Sequence, residues 1–125
     1  MSEILGIGVD LCEIDRIEKA IQRQHFIDRV YTEQEAAYFS ARGKRSAESA
    51  AAMYAAKEAA AKALGTGFSG GIMPEQIEVL HDDAGAPSLI LHGEAELCMK
   101  RRGGTHMQIS LSHEANMAAA FVIMT

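Results

Sequence analysis

An acid and a base lie one helical turn apart near the middle of the chain. Glu58 and Lys62 fall within an alanine-rich run, residues 50–64, that has no Gly, Pro or β-branched residue and therefore predicts a helix. At that spacing the two side chains share one face. The pair is either a solvated surface ion pair or a site in which the carboxylate holds a metal ion and the ammonium holds a phosphate. Spacing alone favours the first, because surface ion pairs are common.

A second carboxylate, Asp10, interrupts the first apolar segment of the chain. Residues 3–11 (EILGIGVDL) are mostly apolar, which is typical of a largely buried strand. A carboxylate at or just past the end of such a strand either caps the next helix or binds a cation. The position of Asp10 leaves both roles open.

A basic stripe follows in residues 13–24, which predict a helix with two faces. Isoleucines recur there at helical spacing, and basic residues fall nearly opposite them. The two sets are Ile14, Ile17 and Ile21, and Arg16, Lys19 and Arg23. Arg29 lies in a second short apolar stretch. The stripe is either an ordinary solvated helix face or a docking surface for an acidic partner.

Helix ends are marked at three places. Thr32 and Glu35 fit a capping box for a helix running to about residue 41, which makes Glu35 structural rather than catalytic. Residues 42–45 (RGKR) form a basic turn that could hold an anion, and Ser46 is a plausible N-cap of the central helix. Gly65 is placed to be the left-handed residue that ends that helix.

Composition restricts the class of protein. The chain has 125 residues, 48% of them hydrophobic and 23% charged, and this predicts one globular domain, residues 1–125. A net charge of −5 argues against a general nucleic-acid binder. No apolar run approaches the roughly 20 residues of a membrane span, so we expect a cytoplasmic protein. Cys12 and Cys98 indicate buried thiols, since their spacing suits neither a zinc site nor a disulfide framework.

The order of the predicted elements indicates the fold class. Residues 77–81 and 88–92 predict two strands of a hairpin, residues 93–102 a short helix, and residues 106–112 and 117–124 two further strands. The whole chain therefore alternates as one strand, three helices, two strands, one helix and two strands. That segregation predicts an α+β fold in which an antiparallel sheet packs with a long central helix.

Three short motifs stand out along the chain: residues 6–10 (GIGVD) with 14–17 (IDRI), residues 54–59 (YAAKEA) with 62–67 (KALGTG), and residues 110–113 (SLSH). Together and in this order they resemble one known family, the holo-(acyl carrier protein) synthases, which are small bacterial 4′-phosphopantetheinyl transferases. The resemblance extends along essentially the whole chain. It implies the 4′-phosphopantetheinyl transferase fold, and transfer of phosphopantetheine from coenzyme A to a serine of apo acyl carrier protein in fatty acid biosynthesis, with release of adenosine 3′,5′-bisphosphate.

The same resemblance implies roles for individual residues. The family metal is Mg²⁺, and the positions that match its ligands are Asp10 and Glu58. Lys62 would place an ammonium near the same phosphates. Glu58, acting directly or through a metal-bound water, is the first candidate to help the serine lose its proton, although an ordered water polarised elsewhere is equally reasonable.

The resemblance also assigns residues to the two substrates. Those that would line the coenzyme A site are Gly65, Thr66, Pro87, Ser112 and His113. Because the family's carrier proteins are strongly acidic, the basic residues expected to dock the carrier are Arg16, Arg23 and Arg29. The expected assembly is a homotrimer with active sites at subunit junctions. The apolar last strand fits a sheet covered on both faces, either by another subunit or by the chain's own helices.

Two departures from the family pattern concern coenzyme A affinity. Members commonly carry Arg where this chain has Met53, and Lys where it has Ala86. Both changes remove a cation, and they leave Lys44 and Arg45 as candidates for the 3′-phosphate contact. The alternative function is a non-catalytic coenzyme A- or nucleotide-binding subunit of the same fold. The joint presence of Asp10, Glu58 and Lys62 argues against it, because binding alone would not need the metal pair.

Overall fold

A 19-residue helix, α4 (Ser46–Leu64), lies across one face of a three-stranded antiparallel sheet. The computed structural model describes residues 3–125. The elements in chain order are β1 (Gly6–Glu13), α1 (Ile14–Ala20), α2 (Gln24–Val30), α3 (Glu33–Ser40), α4, β2 (Ile77–His81), β3 (Pro87–Leu91), α5 (Gly93–Arg101), β4 (Met107–Glu114) and β5 (Met117–Met124). The predicted fold class is confirmed. Within residues 3–125, no helix is both long enough and apolar enough to cross a membrane.

Small residues let strand β1 approach helix α4 closely. Most of the alanines of α4 are fully buried. An added Cβ at Gly6 or Gly8 would collide with the backbone carbonyl oxygen of Ala63 or Ala59. The glycines of β1 therefore face the alanines of α4, and the backbone of the strand rests directly on the helix.

The sheet order is β1-β5-β4, and its two faces differ in exposure. Residues of β1 and β5 alternate between a face covered by α4 and an open face. The large apolar side chains on the open face are Ile7, Val9, Leu11 and Phe121, with exposed fractions of 61%, 58%, 64% and 43%. Of the two alternatives, the one in which the chain's own helices cover both faces is wrong, since they cover only one.

Several predicted element ends are shifted. The helix expected over residues 13–24 ends early, at Ala20, because the backbone N–H groups of Gln22 and Arg23 bond to carbonyls three residues back and Arg23 is extended. The second apolar stretch forms a separate helix, α2, that was not predicted. Ser46 is not the N-cap: a short 3₁₀ turn, Gly43–Arg45, runs directly into α4, and Arg45 occupies the cap without a side-chain bond. The left-handed Gly65 is confirmed, with φ of 83°.

A buried ion pair joins α3 to α4, and its lysine also bonds the start of the β2–β3 hairpin. The capping box of α3 is confirmed, with Thr32 and Glu35 each bonding the other's backbone N–H. Glu35 also accepts a hydrogen bond from Lys57 Nζ at 2.7 Å, and Lys57 donates to the carbonyls of Pro74 and Ile77 at 3.0 and 2.7 Å. Lys57 is only 1% exposed, although it carries a charged side chain.

Candidate functional site

Strand β1 brings Asp10 against Lys62 of helix α4. Asp10 lies on the same face of β1 as Gly8, which faces the helix. Lys62 Nζ donates to Asp10 Oδ1 at 3.0 Å and to the carbonyl oxygen of Val9 at 2.9 Å. The Lys62 side chain is 53% exposed and that of Asp10 is 19% exposed. The Lys62 ammonium is thus held by Asp10 and the Val9 carbonyl, and it remains accessible to an anion from solvent.

Glu58 lies one turn before Lys62 on α4, and its environment connects it to Asp10. Burial raises the pKa of the Cys12 thiol to about 11, with Arg16 opposing this and Asp10, Glu13 and Glu58 adding to it. The charges of Asp10 and Glu58 therefore both raise the pKa of the same thiol, which stays protonated at neutral pH. The Cys12 thiol is buried, as the sequence predicted. The acidic and basic cluster consists of the Asp10–Lys62 ion pair between β1 and α4, with Glu58 one helical turn from Lys62.

The donors of this cluster fit a Mg²⁺ ion that also binds substrate. Among residues 3–125, no group of three or more His, Cys, Asp and Glu side chains forms a metal cage. Mg²⁺ commonly takes one or two carboxylates, with water and phosphate oxygens completing its octahedral shell. Asp10 and Glu58 supply two hard oxygen ligands of that kind, and Lys62 occupies only one of the two Asp10 oxygens.

A polar cavity of about 210 Å³ lies at the other end of α4, where Pro87 of β3 and His113 of β4 meet. His113 Nε2 is 3.3 Å from Glu48 Oε1 in the first turn of the helix. Ser112 lies on the opposite face of β4, opposite Ala119 of the open sheet face. The structure therefore separates Ser112 from His113, because adjacent strand residues point to opposite sides.

The other two residues assigned to the coenzyme A site, Gly65 and Thr66, lie far from that cavity. They follow the C-terminal end of α4, near Lys62. There the guanidinium Nη1 of Arg102 donates to the carbonyl oxygen of Leu64. Glu48 and Gly65 are at opposite ends of α4, about 25 Å apart at a rise of about 1.5 Å per residue. In one chain, the residues predicted to line the coenzyme A site thus do not come together, because Pro87 and His113 line the cavity, Ser112 lies on the other face of β4, and the other two lie at the far end of α4.

Two residues that the sequence did not assign to the coenzyme A site line the same cavity. Arg42 is one of them, whereas Lys44 and Arg45 are exposed and do not line it. His81 is another, and its ring stacks on Tyr38 with centroids 4.1 Å apart. The basic turn at residues 42–45 was a signal for Arg42, but nothing in the sequence indicated His81, since its neighbours in space come from other elements.

The basic residues predicted to dock a carrier are all exposed: Arg16 on α1, Arg23 just before α2, and Arg29 on α2. Arg23 and Arg29 line a cavity of about 260 Å³ together with Phe26. Phe26 stacks on Tyr54 with ring centroids 6.0 Å apart. Because Tyr54 lies one turn before Glu58 on α4, this aromatic contact connects the basic surface to the acidic and basic cluster.

Comparisons with known proteins give one consistent family. Residues 6–122 match a protein-family model described as the 4′-phosphopantetheinyl transferase superfamily. A holo-(acyl-carrier-protein) synthase of Nitratidesulfovibrio vulgaris strain Hildenborough is 46% identical over 123 residues, which cover 97% of this chain and 98% of that one.

Solved structures agree with the family match. The Neisseria meningitidis holo-(acyl-carrier-protein) synthase has a TM-score of 0.88 and 32% identity, over 98% of this chain and 99% of that one. The Bacillus anthracis holo-(acyl-carrier-protein) synthase, solved in complex with CoA (3′,5′-ADP), has a TM-score of 0.80 and 36% identity, over 98% of this chain and 97% of that one.

Proposed function

Because the chain belongs to the 4′-phosphopantetheinyl transferase superfamily, we propose that it transfers 4′-phosphopantetheine from coenzyme A to a serine of apo acyl carrier protein and releases adenosine 3′,5′-bisphosphate. The observation that carries the proposal is the open Lys62 ammonium, held by Asp10 and the Val9 carbonyl one turn from Glu58. The names of the relatives, and the coenzyme A complex of one of them, support it. The modified carrier protein would serve fatty acid biosynthesis in the cytoplasm.

Asp10 and Glu58 are the residues that would hold Mg²⁺. When bound, the ion would neutralise charge on the pyrophosphate of coenzyme A. Lys62 would hold the same phosphates from the helix side, since its ammonium has donors beyond those used on Asp10 and Val9. In an in-line displacement these residues mainly position the reactants and stabilise the charge of the leaving phosphate.

The carrier serine must lose a proton as its oxygen attacks phosphorus. Glu58 could accept that proton directly or through a water, because its side chain is only half-buried and lies one helical turn from Lys62. A carboxylate that also binds a cation is a weak base, so an ordered water is the second route.

The deciding measurement for the reaction itself is mass spectrometry of apo carrier protein incubated with the enzyme, Mg²⁺ and coenzyme A. We expect the phosphopantetheine adduct, and a coenzyme A complex without any adduct would favour the non-catalytic alternative.

We predict that the double variant Arg16→Glu/Arg23→Glu raises KM for carrier protein about tenfold at low salt, with KM for coenzyme A unchanged. The reason is loss of attraction between the exposed basic helices and an acidic carrier, and salt should reduce the difference. Arg29→Glu should add to the effect, because Arg29 shares a cavity with Arg23.

The matched control for docking is Lys100→Glu/Arg101→Glu, which makes the same charge change on exposed residues of α5. If the control raised KM for carrier as much as the test variant, the effect would come from net charge and not from a docking surface. An unchanged KM in the test variant would show that the basic stripe is ordinary solvated surface.

We also propose that the chain forms a homotrimer with active sites at subunit junctions. Two observations support this: the apolar face of the sheet is open in one chain, and the residues assigned to coenzyme A lie at opposite ends of α4. A neighbouring subunit would cover the first and bring together the second. The metal pair of one subunit would then face the basic turn and the cavity of the next.

Mixing two inactive variants tests the shared site. Asp10→Ala removes one carboxylate of the metal pair, and Lys44→Glu/Arg45→Glu reverses the charge of the basic turn. After subunit exchange of an equal mixture, about a quarter of the junctions would draw both intact parts from different chains, so about a quarter of wild-type activity should return. A trimer without recovered activity would place each site within one chain, and a monomeric mass by light scattering would overturn the assembly.

A further inference from the structure

Arg102, the residue that follows α5, holds the C-terminal end of α4. Its guanidinium Nη1 donates to the carbonyl oxygen of Leu64, the last residue of that helix, and Nη2 donates to the carbonyl oxygen of Leu5 at 3.4 Å. The two bonds join the end of α5, the end of α4 and the residue before β1. None of the ion pairs formed between residues 3 and 125 includes Arg102, so carbonyl oxygens and not a carboxylate offset its charge.

The glycine that ends α4 leaves room for this guanidinium. A Cβ added at Gly65 would collide with Nη1 of Arg102, and the backbone of Gly65 is left-handed, with φ of 83°. Gly67 is left-handed as well, with φ of 60°, but a Cβ there would meet nothing within 4 Å. Glycine at position 65 is therefore needed for the approach of Arg102 as well as for the turn, whereas at position 67 only the turn requires it.

The end of α4 that Arg102 covers would otherwise repel an anion. A helix carries about half a negative charge at its C-terminal end, because its last four carbonyl groups lack partners within the helix. Two of these groups accept bonds from backbone N–H groups of Gly65 and Gly67, and Arg102 bonds the carbonyl of Leu64. The full positive charge of a guanidinium beside these oxygens offsets the partial negative charge of the helix end.

The same end of the helix carries the accessible ammonium of Lys62. Lys62 lies in the last turn of α4, within the short range over which the charge of a helix end acts. We propose that Arg102 is a positioning residue for Lys62: it neutralises the C-terminal end of α4 and fixes the last turn beside β1, so that a phosphate can bind the ammonium. The inference rests on the proposed function, because coenzyme A would bring the phosphates.

Inorganic pyrophosphate is the probe, because it presents phosphate oxygens without the rest of coenzyme A. In calorimetric titration at fixed Mg²⁺, Arg102→Met should weaken pyrophosphate binding about fivefold, through loss of the charge at the helix end. Arg102→Lys should keep most of the affinity, since it keeps the charge and loses only the planar fork. The matched control is Arg101→Met, which removes the same charge from an exposed neighbour that pairs with Glu94 and should change the affinity less than about twofold.

A double-mutant cycle with Lys62 separates positioning from an independent anion contact. In the Lys62→Met background, Arg102→Met should have little further effect on pyrophosphate binding, because the ammonium that it positions is gone. Three results would overturn the proposal: wild type does not bind pyrophosphate, Arg102→Met acts no more strongly than Arg101→Met, or Arg102→Met weakens binding equally with and without Lys62.

Steady-state kinetics separates this role from simple loss of folded protein. Arg102→Met should raise KM for coenzyme A about fivefold and leave KM for carrier protein unchanged, whereas loss of folded protein lowers kcat and leaves both KM values unchanged. An unchanged KM for coenzyme A would overturn the proposal while the proposed function stands. If pyrophosphate binding depends on Arg102 and Lys62 as expected but wild type transfers nothing to carrier protein, the proposed function fails while the role of Arg102 stands.

Discussion

Replacing Asp10 by Asn or Glu58 by Gln should reduce phosphopantetheine transfer roughly a hundredfold or more while the chain stays folded. Each change keeps the shape of the side chain and removes one negative charge and one metal-binding oxygen. Neither residue fills the core: Asp10 is partly exposed and Glu58 is half-buried. Loss of the Asp10–Lys62 ion pair should cost less than about 1 kcal/mol, because the Lys62 side chain is 53% exposed.

Dependence on metal concentration distinguishes a ligand from a residue that acts otherwise. If Asp10 and Glu58 hold Mg²⁺, raising its concentration should restore part of the activity of each variant. Lys62→Met should lower activity without this recovery, because it removes a phosphate contact and not a metal ligand. The control is Glu13→Gln, an exposed carboxylate on the same strand. Near-normal turnover of either test variant at limiting Mg²⁺ would exclude that residue as a ligand.

The sequence predicted the family, the transferase class and the shared helix face of Glu58 and Lys62. Three short motifs identified the family, which the comparisons confirm. The spacing of Glu58 and Lys62 placed them on one face, since a helix repeats every 3.6 residues. The contact between Asp10 and Lys62 depends on how β1 packs against α4. Its signal in the sequence was the pair of glycines, Gly6 and Gly8, which permit that close approach.

Other features could not be derived because they arise from tertiary contacts. A lysine next to an apolar stripe is usually exposed, but Lys57 is buried because the carboxylate of Glu35 and two backbone carbonyls lie around it. Ser112 and His113 share a motif, yet the alternation of β4 separates them. The Tyr38–His81 stack joins residues from α3 and β2, and no local pattern pairs those segments.

We predict that Lys57→Met lowers the free energy of unfolding by about 3–5 kcal/mol, a large part of the stability of a small domain. The substitution leaves the Glu35 carboxylate buried without a cation, since the two side chains are 1% and 0% exposed. It also frees the carbonyls of Pro74 and Ile77. Urea denaturation at fixed protein concentration measures the change, with an unaltered m value showing that the transition remains comparable.

The exposed pair Lys100–Glu96 is the matched control for this prediction. Its atoms are 3.8 Å apart and its side chains are 64% and 46% exposed, so Lys100→Met should change stability by less than about 1 kcal/mol. Equal effects of the two substitutions would show that the buried pair contributes no more than a surface one.

A double variant separates the ion pair from simple loss of packing. Burial lowers the pKa of Lys57 and Glu35 opposes that shift, so the charged pair is stable only while both partners are present. Lys57→Met/Glu35→Gln should therefore be less destabilised than the sum of the single variants, because no unpaired charge remains buried. Glu35→Gln should also weaken the start of α3, since it replaces the capping carboxylate. Additive effects in this cycle would mean that Lys57 stabilises α4 through its bonds to Pro74 and Ile77 and not through Glu35.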